Sequence, residues 1–553
     1  MTEAGDKAGV DRRRVAAGLG ALAAVGPAVL AGPVSAAGMA AEAVVETTSG
    51  KVKGVLADGA YGFMGVPYGA STAGANRFMP PQRPTPWAGV REAPQLRIIA
   101  PQTNPKVPPP PPGSLFSIIR ESDAEESEDC LNVCVWTPGL DNARRPVMVW
   151  LHGGGYSSGS GSNPTYYGGK LAKRGDVVVV NVTHRLNALG YTHLGDLAHA
   201  FGAAGNAGTL DMLAALRWVR ENIERFGGDP GRVMIFGESG GGGKVASLLA
   251  TPAATGLFHR AVMESGSVRT FIERPEATRA TEALLAELGM TPKQAADLQA
   301  VPLARLMDAY FAASAKLGGG LSAFGPVRDG VVIPNHPFDP VANPLGARVP
   351  LMIGTNMTEV TLFMLGDEAA FGLDDAGLSA RMTATIGQAG GAAAVKLYRG
   401  LYPQASASDL YFLMLTDRAS GFRRGATQIA ELKAAQGGAP VHLYEMLWKT
   451  PIMDGKLRSP HGLEVSLVFN NPDAATTAPI TGGGARALAM AAVMSDAWTS
   501  FARTGDPSTA ALPWPAYDLE KRTTMLFDET SGSQPDPFRA QRMFWDGLAN
   551  AFT

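Results

Sequence analysis

Cysteine is nearly absent: the 553 residues contain two, Cys130 and Cys134. On an extended strand that spacing holds the Cα atoms about 13 Å apart, too far for a disulfide. Two thiols also cannot close a zinc site, which wants four ligands, and nothing nearby supplies the rest. Both read as buried thiols. Charge is scarce as well, at 18% of residues, and it nearly cancels, with 48 basic against 50 acidic side chains and a formal net of −2. Such a chain has no field to gather phosphate backbones or anionic lipid, so nucleic acid is not an expected partner. No period suggests repeats, and the main low-complexity segment inside the body, Pro108 to Pro112, reads as a stiff surface loop. Against these absences stands 45% apolar residues, ample material for a buried core.

The amino terminus differs from everything after it. Arg12-Arg13-Arg14 precedes the Ala/Gly/Val-rich stretch Val15 to Val34, and small residues follow at Ser35-Ala36-Ala37. Residues 1–37 therefore read as an export signal of the twin-arginine type, cleaved after Ala36 or Ala37. A membrane anchor or a disordered tail is the alternative, weakened as a spanning helix by the glycines and Pro27. The mature chain is expected outside the cytoplasm, periplasmic or extracellular, with no stable membrane span. A chain without an evident structural disulfide suits export in the folded state.

From residue 43 to 549 short apolar runs alternate with amphipathic stretches, the pattern of one α/β unit with a mostly parallel sheet flanked by helices. Pro146 to Leu151 is apolar on both faces, as a central strand must be, and stops at His152-Gly153-Gly154-Gly155. Val177 to Val180 reads as a second buried strand. A helix follows, with Leu213, Leu216, Val219 and Ile223 on one face, ended by Gly227-Gly228-Asp229-Pro230. Arg232 to Phe236 then reads as a strand, Gly237 to Gly241 as a tight turn, and Lys244 to Ala250 as the body of the next helix.

Strand, turn and helix meet at Ser239. A hydroxyl needs a neighbouring base to become a nucleophile and must project where a carbonyl carbon can reach it. In Gly237-Glu238-Ser239-Gly240-Gly241 the flanking glycines lack the Cβ atoms that would collide in such an elbow. The three-position motif is weak alone in a chain with 67 glycines, but its context strengthens it. Gly153-Gly154-Gly155 after a central strand offers backbone N–H groups to an oxyanion, and the N–H of Gly240 offers another. The glycines Gly240 to Gly243 each cost a helix about 1 kcal/mol against alanine, which close approach of substrate or backbone would explain. A phosphate loop ending at Lys244 fails on register, because its leading glycine would fall at Glu238 and its hydroxyl residue at Val245.

The base should be a histidine downstream of the serine. Of the eight histidines, His259, His336, His442 and His461 qualify by position. His259 follows the elbow too soon, His442 sits in the apolar run Val441 to Leu447, and His336 lies in a proline-bounded turn. His461, in Ser459-Pro460-His461-Gly462, is flanked like a functional loop. For the acid that orients it, Glu359 after the strand-like run Pro350 to Gly354 is the first choice, with Asp329 and Glu464 as competitors.

Taken together, these segments resemble the type-B carboxylesterases, the family of bacterial para-nitrobenzyl esterases, cholinesterases and related lipases. The resemblance rests on Phe63-Met64-Gly65-Val66-Pro67-Tyr68, Glu128-Asp129-Cys130-Leu131-Asn132 and Asn181 with Arg185-Leu186. It is strongest from Gly205-Asn206 through Phe226-Gly227-Gly228-Asp229-Pro230 into the elbow, and continues at Gly354-Thr355-Asn356, His461-Gly462, Trp498 and Gly505-Asp506-Pro507. It implies an α/β-hydrolase fold and a serine hydrolase that cleaves small carboxylic esters through an acyl-enzyme without a cofactor or metal. It implies Ser239, Glu359 and His461 as the triad and Gly154, Gly155 and Gly240 as the oxyanion hole. A non-catalytic adhesion protein or an acyltransferase on the same fold are the alternatives. The family usually has alanine where Gly240 stands. Its cysteine partner for Cys130 is replaced around Ala100-Pro101-Gln102, so that disulfide should be missing. No tryptophan lies between Pro101 and Cys130 to hold a quaternary ammonium, so choline esters are not expected. With a histidine of ordinary pKa as base, activity should fall below about pH 6.5.

Overall fold

The computed structural model describes residues 42–92, 98–108, 124–318, 323–418 and 421–551. The expected export signal, and all of the proline run except Pro108, lie outside them. At the centre is a large mixed sheet. It opens with antiparallel neighbours, Glu42–Thr47, Gly50–Ala57, Ala60–Pro67 and Asn132–Thr137. Seven parallel strands follow in the spatial order Val178–Thr183, Arg145–Leu151, Gly228–Glu238, Arg260–Glu264, Leu351–Asn356, Val441–Met446 and Thr523–Phe527. Gly532–Pro535 closes the far edge antiparallel.

Burial on both faces explains why the central runs carry no polar alternation. Along Arg145–Leu151, Val147, Val149 and Leu151 join one apolar cluster with Met212, Leu216 and Val245, while Met148 and Trp150 join another with Phe236, Trp498 and Phe501. Helices Ala207–Asn222 and Gly240–Leu249 cover the first face and Gly484–Thr504 the second. Further apolar clusters lie under the helices Arg274–Glu287 and Leu303–Lys316, and under Asp375–Leu401 and Ala407–Asp417.

Element boundaries shift where local chemistry allows it. The strand expected at Arg232 to Phe236 runs from Gly228 to Glu238, but its pairing with Arg145–Leu151 breaks between Gly228 and Val233. Pro230, which has no N–H to give a ladder, lies in that gap. The helix expected from Lys244 begins at Gly240, so the four glycines form its first turn. The helix ahead of the elbow spans Ala207–Asn222 and passes through Ile223–Phe226 to Gly227, whose φ of 78° ends it.

Both cysteines are buried and no disulfide joins them, as expected. Parallel register sets the strand ends level: Leu151 pairs with Gly237, Glu238 with Glu264, and Glu264 with Gly354. Side chains just past those ends are thereby collected at the carboxyl edge of the sheet, where α/β folds place their ligands. A buried ion pair braces this edge, with Arg185 Nε donating to Asp211 Oδ2 at 2.8 Å and Nη2 to Oδ1 at 2.6 Å. Removing one partner strands the other charge in the core. Asp211→Ala should therefore lose about 3–5 kcal/mol of stability by urea unfolding, and a loss under about 1 kcal/mol would show that the pair is not a brace.

Candidate active site

Ser239 sits at the tip of the turn after Gly228–Glu238 with φ 57° and ψ −121°. A residue with a side chain holds such a conformation only when its surroundings force it. The force comes from backbone approach. A Cβ on Gly241 would lie 2.0 Å from Leu151 O, and one on Gly237 2.4 Å from the same oxygen. Only glycine lets strand and helix come this close, and Ser239 N–H is held by Glu264 O at 2.8 Å. The serine, half-buried, thus projects from the start of helix Gly240–Leu249. The loop Gly153-Gly154-Gly155 lies against it: a Cβ on Gly153 would sit 3.6 Å from Ser239 Cβ, and one on Gly240 would sit 2.3 Å from Gly155 O. That second contact explains the glycine where alanine was expected. Among the described residues, the N–H groups of Gly154, Gly155 and Gly240 have no protein acceptor.

His461 reaches the same edge from the loop before helix Leu463–Val468. Its Nδ1 donates to Glu359 Oε2 at 2.6 Å, and its own N–H bonds Glu359 O at 3.3 Å. Glu359 is wholly buried, and its Oε1 accepts from Asn356 N–H at 2.8 Å and from the Ser265 hydroxyl at 2.6 Å. Of the three candidate acids, Glu359 is the one in contact with the His461 ring. Asp329 lies elsewhere, accepting from Asn206 Nδ2 and from the N–H groups of Val331, Val332 and Ile333. Glu464 belongs to the site but not to the imidazole: its Oε1 is 3.1 Å from Ser265 Oγ, and its Oε2 accepts from Asn356 Nδ2 at 2.5 Å. The rejected histidines hold structure, His259 accepting from Val233 N–H and His336 from Phe271 N–H, each at 3.2 Å, while His442 is buried in its strand.

The structure does not close a hydrogen bond between Ser239 and His461. The imidazole Nε2 lies 3.1 Å from Glu238 Oε1, near enough for charge attraction, but neither atom has a well-angled hydrogen-bond partner among the described residues. That nitrogen is left uncommitted. Burial by itself lowers the ring's affinity for a proton, but Glu238 and Glu359 together outweigh it and raise the pKa to about 9. Burial, with repulsion from Glu359, raises Glu238; burial, with repulsion from Glu238 and Glu359, raises Glu464 well above the usual range. Ser265 Oγ lies within hydrogen-bond reach of both carboxyl groups, with a single proton to share between them.

The Carboxylesterase family profile matches residues 41–545. The chain belongs to the carboxylesterase family. It is 36% identical over 508 residues to the para-nitrobenzyl esterase of Bacillus subtilis (strain 168), covering 91% of this chain and 98% of that one. It is 32% identical to the phenmedipham hydrolase of Pseudarthrobacter oxydans over 493 residues, covering 87% of this chain and 94% of that one. The crystal structure of a Geobacillus stearothermophilus carboxylesterase superposes with a TM-score of 0.75 at 37% identity, covering 91% of this chain and 99% of that one. The fold is that of the α/β-hydrolases, and this carboxylesterase is a carboxylic ester hydrolase.

Sequence reasoning missed Glu238, Ser265 and the aromatic pair Phe363 and Phe422, whose rings lie 4.9 and 5.1 Å from that of His461. Glu238 fills the free position of the serine motif and Ser265 follows a buried strand, so neither carries a spacing signal. Glu238 also alters the expected pH dependence. The base works only unprotonated, so kcat/KM rises as pH climbs through its pKa; a raised pKa puts that limb above 6.5. Glu238→Gln removes a raising charge, so the limb of kcat/KM on an aryl ester should move to lower pH. A limb that stays in place or moves upward would show that the ring does not feel Glu238.

Proposed function

We propose that Ser239, His461 and Glu359 form the catalytic triad of this esterase, with Gly154, Gly155 and Gly240 as the oxyanion donors. The reading is carried by the imidazole of His461, bound through Nδ1 to a buried carboxylate and uncommitted at Nε2, on the edge where Ser239 projects. In the first step Ser239 Oγ attacks the ester carbon as its proton passes to His461 Nε2, and the carbonyl oxygen becomes an anion facing the three N–H groups. The alkoxide leaves with the proton from His461. Water then adds to the acyl-enzyme by the same route and releases the acid. Throughout, Glu359 holds the ring in the Nδ1–H tautomer and balances the imidazolium.

The substrate class follows from the wall beside the base. Phe363, 45% exposed, and Phe422 offer ring faces next to His461, a surface for an aryl or benzyl group. The para-nitrobenzyl esterase and phenmedipham hydrolase among its relatives carry names that fit such substrates. Aromatic esters are the proposed class. Residues 1–37 are proposed as a twin-arginine export signal, the mature enzyme acting outside the cytoplasm.

Ser239→Ala should lower kcat on 4-nitrophenyl acetate by roughly 10⁴-fold or more, abolish fluorophosphonate labelling and leave the circular dichroism spectrum unchanged. Retained turnover would refute the nucleophile. Phe363→Ala should raise KM for a benzyl ester several-fold more than for the matching ethyl ester, and equal changes would remove the aromatic wall from substrate recognition. Fused to a fluorescent reporter, residues 1–37 should direct export that stops when Arg12, Arg13 and Arg14 are replaced by lysine; export that persists would count against the twin-arginine route.

A further inference from the structure

One lysine has no part in the chemistry above and is nevertheless wholly buried. Lys244 lies on the elbow helix one turn beyond Gly240, and no carboxylate pairs with it among the described residues. A buried ammonium without a counter-charge is costly unless something compensates, and burial pushes its pKa well below the usual range. The compensation is a backbone carbonyl: Nζ donates to His152 O at 2.7 Å. His152 is the residue between the strand Arg145–Leu151 and Gly153-Gly154-Gly155.

The same residue is braced from its side chain. His152 Nδ1 lies 2.9 Å from Gly153 O and 3.4 Å from Lys244 Nζ. Burial first, and then the proximity of Lys244 and of His184, hold this imidazole well below its ordinary pKa. His184 stacks on it with ring centroids 5.1 Å apart, and Nδ1 of His184 donates in turn to Arg185 O at 2.7 Å. The carbonyls of His152 and Gly153 are thus both engaged from beneath, and the N–H groups of Gly154 and Gly155 stay without a protein acceptor. The same elbow helix also presses directly on the loop's backbone. A Cβ on Gly240 would lie 2.3 Å from Gly155 O, 2.4 Å from its Cα and 2.6 Å from its C.

From this arrangement we propose that Lys244 is a positioning residue for the oxyanion hole, pinning the loop through His152 O onto the helix that carries the third donor. Gly240 is its complement: the pinned loop occupies the space a side chain there would need. The inference rests on Gly154, Gly155 and Gly240 being the hole. What Lys244 contributes is the separation between donors on two different elements, a quantity that matters when charge develops on the oxygen and little while the ester is only bound.

The test is a cycle of Lys244→Met, Gly240→Ala and the double variant, assayed on an aryl ester and with an alkyl trifluoromethyl ketone. Addition of Ser239 to that ketone places an oxyanion in the hole. Lys244→Met should lower kcat by about 10-fold to 10²-fold and raise the ketone Ki by a matching factor, with KM within about twofold, since loss of one oxyanion donor costs about 10²-fold to 10³-fold. Gly240→Ala should be at least as damaging alone, and cost about tenfold less when the pin is already gone. A ketone Ki unchanged by Lys244→Met, a loss confined to KM, or costs that multiply independently in the double variant would each overturn the proposal. Where Lys244→Met does not fold, Lys244→Gln, which keeps an N–H donor on a shorter reach, takes its place with the same expected direction and the same overturning results. A wild-type enzyme that the ketone does not inhibit would instead remove the oxyanion assignment on which the proposal rests.

Discussion

The arrangement depends on how closely two pieces of backbone pass one another. Where the helix Gly240–Leu249 crosses the end of the strand Arg145–Leu151, a single carbonyl oxygen, that of Leu151, fills the space of a Cβ at both Gly237 and Gly241. That contact determines the direction of the helix, and the helix direction forces Ser239 into the left-handed region. Because Leu151 pairs with Gly237 in parallel register, the glycine loop proposed to hold the oxyanion begins shortly after, beside the serine. Nucleophile and donors are therefore placed by main chain against main chain. Such contacts have no rotamers to lose and give a fixed geometry that a flexible side chain could not.

Around this rigid feature the electrostatics are less settled by shape than by competition. Glu238, Glu359 and Glu464 lie within one buried network with one imidazole, and Glu264 stands close by, its Oε1 accepting from Trp498 Nε1 at 2.8 Å. Charges of one sign so near one another cannot all persist away from water. Burial raises Glu264 to about 8, and burial with repulsion from its neighbours raises Glu464 well above the usual range. Glu359 is distinguished by the donors it receives, accepting from a backbone N–H, a hydroxyl and the imidazole. The division of labour between two glutamates near one serine hydroxyl is thus a matter of hydrogen-bond donors received.

How much of this could be read in advance follows from the kind of signal each part emits. The central strands were legible because burial on both faces leaves an unbroken apolar run, and the elbow because glycine is the only solution to a Cβ collision. Glu359 was favoured by its place after a strand end, which parallel register converts into a place in space. Glu464, weighed as its competitor, proved to be a neighbour sharing Ser265, a relation that sequence spacing cannot express. The boundaries moved where chemistry is permissive: four glycines argued against a helix start at Gly240, yet tertiary contact outweighed their propensity. Lys244 was legible only as something it is not, since a glycine run before a lysine suggests a phosphate loop. Its contact with His152 O crosses 92 positions of sequence, and no local pattern announces it.

Where the family's disulfide partner for Cys130 would stand, the chain is held by other means. Cys130 is buried and free, and the segment where its family partner would stand is tied by amides. Gln102 donates to Ala100 O at 3.0 Å and to Gly159 O at 3.3 Å, and its Oε1 accepts from Gly159 N–H at 2.6 Å. Asn187 adds a bond to Pro101 O at 2.6 Å. One side-chain amide thereby pairs with both polar groups of Gly159, in the turn that follows the oxyanion loop, much as a neighbouring strand would. A cross-link stabilises largely by restricting the unfolded chain, whereas these bonds act only once the fold has formed and contribute about 1 kcal/mol apiece. The segment Ala100-Pro101-Gln102 is therefore coupled to Gly159 by contacts that need no oxidant to form and that no reductant can break.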